Sequence, residues 1–443
     1  MAHFSWFYSL VIFVAVNNVP VFSSPIKTRY DHYLTHPSVK RFTEYLKIDT
    51  SRQENIKYAV DFWTRQAREL DLPVAVYSHS SGRPVVVITV KGINPSLPSI
   101  MLNSHMDVVP ADETEWTHPP FEAVMDDNGD IYARGAQDTK DVGIQYMEAI
   151  RKLQQDNITL LRTIHVTYMP DEETGGYGGI KSFVNTTEFQ SLNVGFALDE
   201  GMTATEDILY ATYEDRRPWQ MQFIVHGTGG HGFTMPEGTA AEKMIKLLNI
   251  ITKYRDTQSK IMDSSSNTDF GAYTSCNINI VQGGYAPNII PSQMSIVADM
   301  RLASHANISD VEDLVKQWLN EAGNGTELNF IRREDVSGTT QLDDSNPYWV
   351  AMKQTVNNLG YHIEPIICPA TSDMLVLRNL GIPAVGFSTK TGTVSRIHAK
   401  DEYLNVETFL KGIDIYVDVI KSLGNLPSDG DNGKYYPKKP NCL

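Results

Sequence analysis

Cysteine is nearly absent from this chain: Cys276, Cys368 and Cys442 are the only three in 443 residues, far apart and odd in number. That excludes a disulfide-framed fold and a cysteine-built metal site, so stability must come from a buried core. Basic residues are also scarce, 38 Lys and Arg against 53 Asp and Glu, for a formal net charge of −15. Such a surface repels phosphate backbones and anionic membranes, which argues against nucleic-acid binding. There is no Gly, Ser or Gln tract and no short-period repeat, so disorder is expected only at the ends, chiefly in the Pro-, Gly-, Asp- and Lys-rich tail 425–443.

Long hydrophobic runs are missing as well. The apolar stretch Phe4 to Val16 is shorter than the roughly 20 residues a membrane helix needs, and Asn17, Asn18 and Pro20 break it. It reads as a signal peptide, residues 1–23, with Ser23 the last residue removed, although no Lys or Arg precedes the apolar run; a signal anchor is the alternative. The mature chain is then expected to have no membrane span and to be secreted or held in the secretory lumen, or to be cytoplasmic if the segment is not a working signal. Four N-x-S/T sequons, at Asn157, Asn185, Asn307 and Asn324, are compatible with secretion.

What is present is a globular composition, 41% hydrophobic, long enough for two domains or for one inserted in another. Val39, Phe42 and Leu46 mark one amphipathic helix, and Val60, Trp63, Ala67 and Leu70 a second that Pro73 ends. Short apolar runs at Pro84 to Val90, Ser99 to Leu102, Thr163 to Met169 and Val194 to Leu198 predict strands buried on both faces. A helix with Val142, Tyr146, Ala149, Ile150 and Leu153 on one side lies between them, so the class is α/β.

Near Pro218 the pattern changes. Strand Trp219 to Val225, helix Ala240 to Ile250, strands Asn277 to Val281 and Met294 to Arg301, helix Val311 to Leu319 and strand Leu328 to Ile331 form a β-α-β-β-α-β block, the ferredoxin-like arrangement of a small α+β domain. Helix Asn346 to Leu359, strand Ile382 to Phe387 and helix Val406 to Leu423 then return to the first style. The expected organisation is a discontinuous catalytic domain, 30–213 and 337–424, with a lid inserted at 214–336.

Several acids and histidines stand where a buried strand runs out. In S-I-M-L-N-S-H-M-D-V-V-P, Asp107 follows His105 by two residues, so its carboxylate can accept a bond from the ring and set the tautomer a metal-bound imidazole needs. Asp138, in I-Y-A-R-G-A-Q-D-T-K, precedes a helix and is either its N-cap or a carboxylate bridging two cations. V-T-Y-M-P-D-E-E-T-G-G places Asp171, Glu172 and Glu173 after a strand that must be buried, where like charges demand retained protons or positive partners. Asp199 and Glu200 follow another strand, and His398 lies in the loop S-R-I-H-A-K-D-E. Two imidazoles and three or more carboxylates can serve two zinc ions, with one carboxylate left free as a base.

H-P-S-V, L-N-S-H-M-D-V-V-P, Y-A-R-G-A-Q-D, P-D-E-E-T-G-G, F-A-L-D-E-G, D-D-S-N-P and G-I-P-A, in this order between His36 and Leu423, resemble the two-zinc exopeptidases and amidohydrolases, which include carboxypeptidase G, acetylornithine deacetylase and the zinc aminoacylases. The resemblance implies a mixed-sheet zinc-exopeptidase-like catalytic domain with an inserted lid and dimerisation domain, two zinc ions per subunit, and cleavage of N-acyl-L-amino acids. It implies His105, Asp138 and Glu200 on one zinc, Asp138, Glu173 and His398 on the other, Asp107 behind His105, and Glu172 as general base.

In the lid, I-V-H-G-T-G-G-H-G implies that His231 reaches the partner subunit's site in a homodimer to stabilise the oxyanion, where an ordinary loop histidine is the other reading. Asn288 and Arg301 match positions that bind the substrate carboxylate, or else serve a turn and the surface. T-S-D-M-L at Thr371 to Leu375 departs from a more polar T-D-N-R-like segment. Dipeptidase or carboxypeptidase activity on the same scaffold, and a binding protein on a dead scaffold, are the competing functions.

Overall fold

A computed structural model describes residues 29–80 and 82–427; the expected signal segment, Cys442 and most of the expected tail lie outside them. An eight-stranded sheet organises the larger part. Its order is Val74–Tyr77, Val85–Val90, Ile164–Met169, Ser99–His105, Val194–Asp199, Ala384–Phe387, Ile208–Asp215 and His362–Cys368. The four strands from Ile164–Met169 to Ala384–Phe387 run parallel, with antiparallel neighbours on both sides, so the sheet is mixed. Every residue of Ser99–His105 and Ile164–Met169 is buried, which explains their unbroken apolar runs.

Alternate side chains of these strands enter different cores, as the period of two requires. Ile100 and Leu102 join the helices Pro37–Leu46, Ile56–Glu69, Lys140–Gln155, Pro347–Asn358 and Val406–Gly424, while Met101 joins Ile180, Phe183 and Met374 on the opposite face. Trp63 of the second helix stacks on Tyr168, ring centroids 3.7 Å apart, three residues before Asp171. The chain that leaves this strand for the acidic loop therefore starts from a fully packed position.

A separate four-stranded antiparallel sheet, ordered Ser275–Gly283, Gln293–Leu302, Arg217–His226 and Thr326–Arg333, carries the helices Ala240–Ser264 and Ile308–Ala322. Trp219, Phe223, Leu247, Trp318 and Met300 are among the residues of its own core. Apart from the two-residue strands Gly230–His231 and Ile289–Ile290, the element order from Arg217 to Arg333 is β-α-β-β-α-β.

Three strands of the large sheet were not expected. Val74–Tyr77 is a short edge strand, Ile208–Asp215 holds Thr, Tyr, Glu and Asp among its apolar residues, and His362–Cys368 contains Pro365, which a central strand would reject but an edge tolerates. The helix foreseen to end near Ile250 continues to Ser264, started by a capping box between Thr239 and Glu242. Its second half is largely exposed and carries little hydrophobic pattern.

Candidate metal centre and active site

The parallel strands end at one edge of the large sheet, and their carboxyl ends deliver the chemistry. His105 closes Ser99–His105, Glu172 and Glu173 follow Ile164–Met169, and Glu200 follows Val194–Asp199. The loops before Lys140–Gln155 and after Ala384–Phe387 bring in Asp138 and His398.

Asp138 stands between the two imidazoles. Its Oδ1 is 3.2 Å from His105 Nε2 and its Oδ2 is 3.1 Å from His398 Nε2. Glu200 Oε2 lies 3.6 Å from His105 Nε2, and Glu173 Oε2 lies 3.0 Å from His398 Nε2. Donor atoms of His105, Asp138 and Glu173, and of His105, Glu172 and Glu200, each come within 4.8 Å of one another. Asp138 is not an N-cap: the helix cap residue is Thr139, and it makes no capping bond.

Asp107 acts differently from the expectation. His105 Nδ1 meets the backbone carbonyl of Asp107 at 2.8 Å, with the carboxylate 3.6 Å away. The carboxylate instead accepts the amides of Glu172 and Glu173, both at 3.1 Å. One residue thus sets the imidazole tautomer through its main chain and anchors the acidic loop through its side chain. Asp171 turns away to Arg83 and the Gly178 amide, so the three consecutive acids do not share one fate.

The charges are strongly perturbed. Burial, then the charge of Glu200, pushes Glu172 well above the usual carboxylate range, and burial with the charge of Asp138 lifts Glu200 to about 8. Burial and Asp138 also raise Glu173. Burial works against ionised Asp138 too, yet bonds from both imidazoles hold it well below its ordinary value. Bonds to Asp138 and Glu173 take His398 to about 10. Carboxylates this crowded, facing imidazole nitrogens, form a donor set of nitrogen and oxygen that fits divalent cations, zinc above all.

Sequence reasoning missed the support. Glu402, fully buried, accepts the amides of Gly135, Gln137 and Asp138 at 3.1, 2.7 and 3.2 Å, and a 2.7 Å bond from Arg134. It therefore shapes the turn that presents Asp138; it ends the same loop motif that supplied His398, and its burial was the missing signal. Asn103 donates to both Asp199 and Asp373, holding two further buried acids behind the centre.

Arg301 lines the cavity of about 170 Å³ over the acids, as do Gln220 and Arg332 of the same four-stranded sheet. His231 and Asn288 are not brought there. Both are exposed at a small two-stranded antiparallel sheet, where Gly230 and His231 pair with Ile290 and Ile289, and His231 packs against Phe233.

Two outcomes follow from this geometry. Glu402→Ala should weaken metal affinity by about 10- to 100-fold with the fold retained, measured by competition with a chelating dye; unchanged affinity would remove Glu402 from the account. Between the ordinary glutamate value of 4.5 and about 8, folded Glu200 binds more proton than the unfolded chain. The sign is then fixed: metal-free protein loses stability as pH rises through that window, while metal, which binds the deprotonated ligands, stabilises more at its upper end. Thermal midpoints with and without zinc across the window test this, and a metal effect that shrinks with pH contradicts it.

Residues 101–422 match the model of peptidase family M20/M25/M40. The chain is 40% identical to Aminoacylase-1 of Sus scrofa over 394 residues, 89% of this chain and 97% of that protein. The fold is shared with an M20 family metallo-carboxypeptidase from Sulfolobus solfataricus (TM-score 0.71, 19% identity, 88% of this chain and 99% of that one). It is also shared with human carnosine dipeptidase 1 (TM-score 0.71, 15% identity, 88% of this chain and 96% of that one). A chain that matches the family's model over most of its length and gathers its histidines and acids at the carboxyl ends of parallel strands belongs to peptidase family M20/M25/M40.

Proposed function

We propose that this protein is a metal-dependent amidohydrolase that binds two zinc ions per subunit and cleaves N-acyl-L-amino acids into a carboxylate and a free amino acid. The observation that carries the reading is Asp138 standing between His105 and His398, with Glu172 beside them, in a chain 40% identical to Aminoacylase-1. His105, Asp138 and Glu200 would hold one zinc; Asp138, Glu173 and His398 would hold the other. When bound, the cations supply Lewis acidity, polarising an amide carbonyl and making a nearby water acidic.

The remaining work falls to side chains. Glu172 takes the water's proton on its carboxylate and passes it to the departing nitrogen, a task suited to a carboxyl that burial holds well above its ordinary value. Asp107, bonded to the Glu172 amide, fixes where that carboxylate starts from. Arg301, in the cavity wall, takes part in holding the substrate's free carboxylate.

His231 and Asn288 act from a partner subunit in a homodimer, His231 donating to the substrate's carbonyl oxygen. This two-stranded sheet is exposed, and Phe233 and Met235 beside it are 81% and 98% exposed, more apolar surface than a free loop needs. Entry to the secretory pathway is proposed from the apolar amino-terminal segment and from the exposure of all four sequon asparagines.

Zinc-loaded protein should release acetate from N-acetyl-L-amino acids and turn over the matching dipeptides far more slowly; the reverse order would favour a dipeptidase. Glu172→Ala should lose on the order of 10²- to 10⁴-fold in kcat, and unchanged turnover would dismiss the base. Expressed in a secretory host, the chain should reach the medium, shift in mass on glycosidase treatment, and lose activity when diluted to monomer. Retention inside the cell contradicts the localisation, and activity constant on dilution contradicts the crossing His231.

A further inference from the structure

Two arginines of the four-stranded sheet line the cavity above the acids, Arg301 and Arg332, and their charges are answered very differently. Arg301 directs Nε and Nη2 to the two oxygens of Asp299, at 2.9 and 3.3 Å, and Nη1 to Thr371 Oγ1 at 3.0 Å. Its charge is neutralised within its own strand, and most of its donors are in use.

Arg332 has no such partner. Among the described residues its carboxylate within 4 Å is Glu334, 3.8 Å from Nε and beyond hydrogen-bond reach, and Glu334 is already bonded to Lys181. The Nε atom is buried with no bond at all. Its guanidinium carbon lies 3.6 Å from where a side chain on Gly175 would begin, beside the loop that carries Glu172 and Glu173. A guanidinium whose side chain is only 14% exposed and whose donors are idle is costly unless a ligand completes it, and its planar fork matches a carboxylate.

We infer that Arg332 is a further specificity-determining residue of this site: its idle donors receive the free carboxylate of the N-acyl amino acid beside Arg301, whose own charge Asp299 already pairs. The inference rests on the amidohydrolase reading given above. It places the more weakly paired positive charge on the outer strand Thr326–Arg333, and it would favour free acids in a site otherwise crowded with negative charge, which would repel them.

The test compares zinc-reconstituted full chain with Arg332→Gln and Arg332→Lys, each on N-acetyl-L-leucine and on its C-terminal amide. Arg332→Gln should lower kcat/KM for the acid by about 10- to 100-fold, the range of a lost charge-assisted bond, chiefly through KM. The amide should be nearly unaffected, and Arg332→Lys should restore part of the loss on the acid. An unchanged ratio between acid and amide overturns the inference, as does an equal fall on both with reduced bound zinc, which would make Arg332 a support of the acidic loop. If the wild type cleaves neither compound, the amidohydrolase reading fails, and Arg332 is judged by calorimetric binding of N-acetyl-L-leucine. A dissociation constant raised about 10-fold or more in Arg332→Gln sustains its role, and an equal one overturns it.

Discussion

Mutual repulsion among Asp138, Glu172, Glu173 and Glu200 is the constraint around which this molecule is arranged. Carboxylates brought so close and so far from water cannot all ionise without positive charge among them. The chain's own imidazoles meet only part of the demand: they hold Asp138 in its ionised form, while Glu172 and Glu200 stay well above their usual range. Divalent cations answer the rest. The acidity that would be a defect in a closed core is, at the edge of this sheet, the means of binding metal.

The fold meets that constraint by rigid placement. His105, Glu172, Glu173 and Glu200 issue from neighbouring parallel strands whose registers are tied to one another, Ser99–His105 pairing with Ile164–Met169 on one side and Val194–Asp199 on the other. A second layer then fixes each loop: Asp107 for the acidic turn, Glu402 for the Asp138 turn, Asn103 for the acids behind. Each of these binds main-chain amides or another acid, so the ligands are oriented before any ion arrives. The smaller sheet contributes the opposite charge, with Arg301 and Arg332 facing the cavity.

Much of this was legible from residue patterns because buried parallel strands announce themselves as unbroken apolar runs, and the acids that follow them can only lie at the sheet's edge. The β-α-β-β-α-β block was equally readable from its alternating strands. The strands at and next to the sheet's margin were not: Pro365 of the edge strand and the polar residues of its neighbour Ile208–Asp215 hide strands that pairing alone creates. The supports escaped for a related reason. Glu402 looks like any loop acid until its burial is known, and the bond from His105 to a main-chain carbonyl leaves no mark on residue identity. His231 and Asn288 mark the limit in the other direction: motif position singled them out, yet both lie exposed and away from the cavity in the single chain.

Crystals of the zinc-loaded chain, with anomalous diffraction recorded on either side of the zinc edge, would test the central claim directly. The account predicts two anomalous peaks astride Asp138, one among His105 and Glu200 and the other among Glu173 and His398. A single peak, or a pair that does not share Asp138, would contradict it.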